Sequence, residues 1–135
     1  MNIENFADLL QAARAQPLQQ RLLFVFADAV LPDDANAEQL AGFEAGQGGA
    51  LVPMMCVDKS LDDLSSFDSL VQEAAQFGNA WRCVFVGALS GSAHSAPDAQ
   101  EVDSSLQTMV ESIKRGELSR YLAFDRQGLP VRVLP

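Results

Sequence analysis

The chain consists of apolar segments of two kinds, which differ in the spacing of their hydrophobic residues. In the first kind, apolar residues recur every three to four positions, which predicts amphipathic helices. These segments lie at residues 3–13, 37–43, 61–77 and 99–113. The second kind is apolar almost throughout and six to nine residues long, which predicts strands covered on both faces. These segments lie at residues 22–27, 51–57 and 81–89.

Local signals mark the ends of several predicted elements. Pro17 stops the first helix, and Gly116 ends the last one. Pro53 removes a backbone donor near the start of the second strand, which indicates a sheet edge or a bulge there. Two pairs of residues have the spacing of a capping box at a helix start: Ser60 with Asp63, and Asp98 with Glu101.

The C-terminal residues predict a β-hairpin. Residues 121–124 and 131–134 are short and largely apolar, and the four residues 125–128 between them end in Gly128, as turns often do. The complete order is then αβαβαβαββ, which predicts one α/β domain over residues 1–135. We expect a mixed, mostly parallel sheet covered by helices, with the hairpin as an antiparallel edge. The helices form a three-layer sandwich if they cover both faces and a two-layer one if they share a face.

Charge is distributed unevenly along the chain. The 135 residues carry a net charge of −9, and residues 1–80 contain twelve acidic and three basic side chains. Residues 114–135 contain five basic and two acidic side chains. This acidic balance argues against nucleic-acid binding, which depends on cations that face phosphates. It fits either a solvated surface or a protein partner, including a homodimer in which acidic and basic regions face each other.

The cysteines and the N-terminus bear on cofactors and location. Cys56 and Cys83 lie in apolar runs 27 positions apart, which is not a metal or redox motif. We expect them to be buried free thiols in a reducing, cytoplasmic setting. The N-terminus lacks the basic and apolar regions of a signal peptide, and no apolar run approaches the ~20 residues of a membrane span. We therefore predict no cofactor and no membrane association.

Polar residues follow the predicted strands, where an open parallel sheet binds its ligands. Carboxylates at such an edge can hold Mg²⁺, and a lysine can contact a phosphate. Acidic residues also close strands without any further role. The candidate ligand or metal edge consists of Asp28, Asp58, Lys59 and Ser90.

Known catalytic patterns are incomplete in this chain. Asp28-Ala29-Val30 lacks the second carboxylate of a phosphatase of the haloacid-dehalogenase type. His94, the single histidine, lies in a small polar loop at residues 90–97, which does not hold a base rigidly against a nucleophile. The glycines within residues 46–49 follow a helix and precede a strand, the reverse of a phosphate-binding loop. We assign no catalytic residue and no metal ligand.

Three stretches of the chain resemble a family of small bacterial proteins, and the resemblance extends over the whole chain. The stretches are residues 22–27, 48–59 and 124–128. Members of that family often carry the name ribonucleotide reductase subunit alpha, which implies a radical reduction of nucleotides. Such a reduction takes at least three thiols, and this chain has two. We therefore predict that the protein is not a genuine reductase, and we transfer no site residue from the family.

These observations favour a non-catalytic cytoplasmic protein that acts by protein–protein interaction or self-association. The edge hairpin supplies the expected contact surface. Its candidate interface residues are Tyr121, Phe124, Arg126 and Arg132. The alternative is a small metal- or phosphate-dependent enzyme, which requires Asp28 and Asp58 to converge. A third possibility is a small-molecule sensor with a pocket under residues 90–97.

Overall fold

Helices and strands alternate along the chain in the predicted order as far as residue 124. The computed structural model describes residues 3–30, 36–44, 50–64, 66–78, 80–92, 95–118 and 120–131. Its elements are α1 (Phe6–Arg14), β1 (Gln20–Val30), α2 (Ala37–Glu44), β2 (Ala50–Ser60), α3 (Phe67–Ala75), β3 (Cys83–Ser90), α4 (Ala99–Lys114) and β4 (Leu122–Phe124).

The sheet is antiparallel throughout its described strands, so the prediction of a mostly parallel sheet is wrong. The strand order is β2-β1-β3-β4, and each neighbouring pair runs in opposite directions. β2 and β3 do point the same way, and α3 lies between them in the sequence as in a parallel crossover. However, β1 is inserted between them and makes both pairings antiparallel. The periodicity of a segment does not report which strand lies beside it.

The central position of β1 explains its unbroken apolar run. Residues 22–27 are all buried. On one face, Phe24 and its neighbours two positions away pack with residues of α1 and α3. On the other face, Val25 and its neighbours pack with residues of α4. Helices therefore cover both faces, and the three-layer arrangement is the one observed.

The core on the α1 and α3 face is rich in aromatic side chains. The ring of Phe6 lies 5.0 Å from Phe67, 5.5 Å from Phe124 and 6.1 Å from Phe24, measured between centroids. Tilted and edge-on contacts of this kind contribute about 0.5–1.5 kcal/mol each beyond the burial of area. They connect α1 to the sheet and to the start of α3.

Side-chain caps set the starts of three helices. Asn5 accepts a hydrogen bond from the N–H of Asp8 (2.9 Å) at the start of α1. Asp98 accepts one from the N–H of Glu101 (2.8 Å), which confirms the predicted cap of α4. The prediction for α3 is wrong by six residues, because its capping box is Ser66 with Ser69. The hydroxyl of Ser60 instead donates to Asp63 (2.9 Å) in a turn that ends β2.

The chain folds back on β4 at the end of the described part. The N–H of Val131 donates to the carbonyl oxygen of Ala123 (2.9 Å), and Phe124 forms an antiparallel bridge with Pro130. The turn between them contains Gly128 at a φ of 81°. The chain therefore turns back along β4 as the hairpin prediction requires, but the described residues form one isolated bridge and no second strand. Residues 132–134 of the predicted second strand lie outside the described residues.

Candidate functional site

The structure separates the two carboxylates that the predicted metal edge requires. Asp28 lies opposite Val52, whereas Asp58 lies opposite Leu23. Asp28 and Leu23 are five residues apart on β1, which corresponds to roughly 17 Å along a strand. The separation follows directly from the antiparallel pairing, because the carboxyl ends of β1 and β2 lie at opposite ends of the sheet. The geometry thus lacks the convergence that the enzyme hypothesis requires.

Each residue of the predicted edge has a local partner. Asp58 forms an ion pair with Arg21 across β1 and β2. Lys59 reaches Glu73 of α3, with 2.7 Å between its Nζ and the nearer carboxylate oxygen. The hydroxyl of Ser90 accepts a hydrogen bond from the Gln20 side chain (2.8 Å), and Asp28 accepts one from the N–H of Ala29 (2.9 Å). Among the described residues, no group of three or more His, Cys, Asp or Glu side chains is placed to hold a metal ion.

The predicted hairpin surface is largely engaged within the molecule. Phe124 is fully buried, so its side chain is not available as a contact surface. The guanidinium of Arg126 lies over the ring of Trp81, 5.0 Å from the centroid, and donates to the carbonyl oxygen of the same residue (3.4 Å). Tyr121 is half-buried, and Arg132 lies outside the described residues. Residues 130 and 131 occupy the outer side of β4, so this edge of the sheet is closed.

The opposite edge of the sheet is formed by β2, a strand of eleven residues. Within the described residues, β2 pairs with β1 and with no other strand. The pairing has an irregularity between Phe26 and Ala27, where Pro53 faces Ala27. This location at an edge and beside a bulge confirms the prediction made from Pro53. An unpaired edge of this length is a surface on which a further strand can add.

The hydrogen bonds of β1 to β3 determine which backbone groups of β2 point outward. The carbonyl oxygen of Ala27 accepts a hydrogen bond from the N–H of Arg82, on the β3 side (2.8 Å). Since backbone groups alternate in direction along an antiparallel strand, odd residues of β1 bond to β3 and even residues to β2. The even residues lie opposite Val57 and its neighbours two positions away. The N–H and C=O groups of Cys56 and Asp58 therefore point away from β1.

The side chains along β2 are apolar but incompletely covered. Val52 and Met54 are 36% and 37% exposed, and Cys56 is exposed as well. Phe77, just after α3, is 63% exposed and lines a small apolar hollow beside Met55. None of the residues between positions 51 and 60 is fully buried. An apolar strand that stays this exposed is typical of a surface that binds another protein. We call Val52, Met54, Cys56 and Phe77 the β2 apolar stripe.

The two cysteines differ in their surroundings. Cys83 is buried at the start of β3, and desolvation raises the pKa of its thiol from 9.0 to about 11, with a smaller opposing effect of Arg82. The thiol is therefore neutral and unreactive at physiological pH. Cys56 is exposed on the edge strand, so the prediction of burial is confirmed for Cys83 and wrong for Cys56. Both cysteines are free.

The loop after β3 is tightly folded in its described part. The hydroxyls of Ser92 and Ser95 lie 2.9 Å apart, and the N–H of Ser92 donates to the carbonyl oxygen of Ser95 (2.8 Å). A side chain on Gly91 would overlap the backbone of Ser95 and Ala96. His94, within this loop, lies outside the described residues. The possibility of a pocket beneath residues 90–97 therefore stays a prediction.

A pocket of about 330 Å³ lies between α4 and the sheet. Leu23, Gly87 and Met109 contribute its apolar part, and Tyr121 and Arg120 stand at its side. Its remaining lining residues are Ala88 and the hydroxyl-bearing Ser104, Ser105 and Thr108. Sequence reasoning missed this site. Two signals were present: an isolated glycine in an apolar strand, and three hydroxyls on one side of a helix.

The chain matches no protein-family profile, no curated protein and no solved structure at a significant level. The resemblance to the small bacterial family therefore stays a prediction. No helix in the described part of the chain has the length and apolar character needed to cross a membrane.

Proposed function

We propose that this protein is a non-catalytic interaction protein that forms a homodimer by pairing β2 with β2 of a second copy. The observation that carries the proposal is the outer edge of β2, which no other described strand occupies. The opposite edge, at β4, is closed by residues 130 and 131. Within the described residues, the outer edge of β2 is therefore the one with free backbone donors and acceptors.

A second copy fits this edge because two-fold pairing is self-complementary. An axis beside Val57 sets Cys56 of one copy opposite Asp58 of the other. Both residues direct N–H and C=O outward, so the pair exchanges both of its backbone hydrogen bonds. The same register places Met54 of one copy opposite Ser60 of the other, so the pairing covers the exposed side chains of Met54 and Cys56 and removes apolar area from water in both copies.

Charge opposes the association only weakly at the edge itself. Asp58 is paired with Arg21 and Lys59 with Glu73 within each copy, so the ionised side chains of the central edge are already neutralised in pairs. The net charge of −9 per chain acts over longer distances, where physiological salt screens it within about 8 Å. The exposed Cys56 thiol at the centre of the pairing accords with a reducing, cytoplasmic location, which we propose together with the dimer.

Proline at position 56 tests the pairing without disturbing the rest of the sheet. Cys56→Pro removes an N–H that points outward, so it removes no ladder bond to β1, just as Pro53 removes none. We expect the wild-type protein to elute as a dimer, with twice the 14.5 kDa chain mass by light scattering, and Cys56→Pro to elute as a monomer with an unchanged circular dichroism spectrum. Cys56→Ala, which keeps the N–H, is the matched control and stays dimeric.

Two results would contradict the proposal. A wild-type protein that is monomeric at every concentration up to about 1 mM is not a β2-paired homodimer of useful affinity, since that threshold corresponds to about −4.1 kcal/mol. A folded Cys56→Pro variant that stays as dimeric as the wild type places the interface elsewhere. If Cys56→Pro fails to fold, Met54→Lys and Phe77→Lys provide the same test, because both add charge to the β2 apolar stripe on exposed side chains.

A further inference from the structure

We propose that the pocket between α4 and the sheet binds a small organic anion, with the acid group at Arg120 and the apolar body over Gly87. The pocket lies beside β1, β3 and the residues before β4, and none of its lining residues belongs to β2. This site is therefore separate from the proposed dimer contact. Its test does not depend on the oligomeric state.

The floor of the pocket lies at Gly87, where the absence of a side chain leaves room between apolar neighbours. Gly87 interrupts the apolar run of β3, and an added Cβ would lie 3.5 Å from the Met109 sulfur and from the Tyr121 ring. The absent side chain leaves room between these groups and buried Leu23. An aromatic or short aliphatic body fits such a floor, since concave apolar surfaces are where small ligands bury most of their area.

The side of the pocket offers hydrogen-bond donors that no other described residue uses. In the described part of the chain, Arg120 has no carboxylate partner, and the hydroxyls of Ser104, Ser105 and Tyr121 have no hydrogen-bond partner. Thr108 is different, because its hydroxyl donates to the carbonyl oxygen of Ser104 (3.0 Å). A guanidinium beside unused hydroxyl donors matches a carboxylate or a phosphate, which accept hydrogen bonds and carry the opposite charge.

Acidic side chains near the pocket do not occupy Arg120. Glu101 and Glu111 lie on α4 near the hydroxyl-bearing residues, but neither lines the pocket. Glu111 contacts Lys114 at 3.7 Å, which offsets its charge. Arg120 thus provides the one cationic group among the lining residues. Arg120 is exposed at the rim of the pocket, so its guanidinium is open to a ligand that enters from solvent, and an acid group is the complement of that charge.

The size of the pocket limits the ligand to one ring or a chain of similar bulk. A volume of about 330 Å³ is at the small end of ligand pockets, which span roughly 300–1,000 Å³. A nucleotide with a base, a sugar and several phosphates exceeds this volume. The class that fits is a small organic acid or a phosphorylated small molecule with one acid group.

Benzoate and phenyl phosphate are suitable probes, with benzamide as the neutral analogue. We expect the amide NMR signals of Gly87, Met109 and Arg120 to shift on titration with benzoate or phenyl phosphate, and to shift at least tenfold less with benzamide at equal concentration. A lower Kd for phenyl phosphate in the titration identifies a phosphorylated ligand, and a lower Kd for benzoate identifies a carboxylate. In either case the affinity of Arg120→Gln falls by about tenfold or more, which corresponds to 1.4 kcal/mol.

Two further variants complete the test. Arg115→Gln removes an arginine that is paired with Glu117 outside the pocket, so it serves as the charge-matched control and keeps full affinity. Gly87→Ala adds one methyl group at ordinary contact distance, so the fold is retained while the floor becomes shallower and binding weakens. The proposal is overturned if no probe shifts these signals at 20 mM. That concentration is on the order of a hundred times the usual KM of a metabolite site, so a real site would be occupied. It is also overturned if Arg120→Gln and Arg115→Gln bind equally well.

Discussion

At the scale of single residues, the reactivity of a side chain depends on how the fold buries it and places it, and residue type alone does not determine it. Cys56 and Cys83 occupy similar apolar runs in the sequence, yet one side chain is exposed and the other buried. Asp28 and Asp58 both follow apolar residues near strand ends, yet they lie at opposite ends of the sheet. Local sequence predicted the hydrophobic setting of the thiols and the position of the carboxylates along their strands. It did not contain the pairing that decides which side chains are covered and which meet.

Cys83 gives a prediction for the pH dependence of stability. Burial raises the pKa of its thiol from 9.0 to about 11 in the folded protein, whereas the unfolded chain ionises near the ordinary value. The folded state therefore binds this proton more tightly, and the stabilisation is complete below pH 9 and is lost as the pH rises toward 11. We expect a loss on the order of 2 kcal/mol, measured by urea unfolding at pH 8 and at pH 11.

The Cys83→Ala variant isolates this effect, because its other titrating groups are those of the wild type. The difference in unfolding free energy between the two proteins should shrink by the same amount over that pH range. A constant difference between pH 8 and pH 11 would show that the Cys83 thiol ionises in the folded protein as easily as in the unfolded chain.

At the scale of elements, apolar spacing predicted the helices and strands well, and their pairing poorly. The continuous run at residues 22–27 indicated coverage on both faces, and β1 is indeed covered on both faces. The same run does not distinguish a parallel strand from a central antiparallel one, because both are buried in the same way. The start of α3 was misplaced because Ser60 and Asp63 have capping-box spacing but form a turn.

The turn after β4 provides a test of how tightly the terminal hairpin packs on α3. Gly128 has a φ of 81°, and an added Cβ would lie 3.1 Å from the ring of Phe67, which is itself held against Phe6. We expect Gly128→Ala to destabilise the protein by about 1–2 kcal/mol from the backbone conformation alone. The displaced ring adds to this loss. Thermal unfolding measures the sum.

Gly78 is the matched control for that substitution. It has a similar φ of 74°, but nothing lies within 4 Å of an added Cβ. Gly78→Ala therefore reports the backbone contribution, and the excess loss in Gly128→Ala reports the contact with Phe67. Equal losses of unfolding free energy in the two variants would mean that the turn at Gly128 does not pack tightly against Phe67 of α3.

At the scale of the whole molecule, the two edges of the sheet differ in whether the chain covers them. The β4 edge is short and closed by the chain itself, whereas the β2 edge is long, apolar and open within the described residues. The sequence favoured the hairpin as the contact surface because its residues were expected to be uncovered. The structure instead engages Phe124 and Arg126 internally and leaves the outer edge of β2 without a strand among the described residues. Edge identity depends on strand order, which a single sequence does not reveal.

Amide hydrogen exchange along β2, followed by NMR as a function of protein concentration, shows whether β2 pairs with a second copy. The N–H groups of Cys56 and Asp58 point outward, so they are protected only when a second copy pairs with β2. Those of Met55 and Val57 point toward β1 and serve as internal controls. We expect exchange at Cys56 and Asp58 to slow as the protein concentration rises, while exchange at Met55 and Val57 changes much less. Exchange at Cys56 and Asp58 that stays fast and independent of concentration, in a sample that light scattering shows to be dimeric, would contradict pairing through β2.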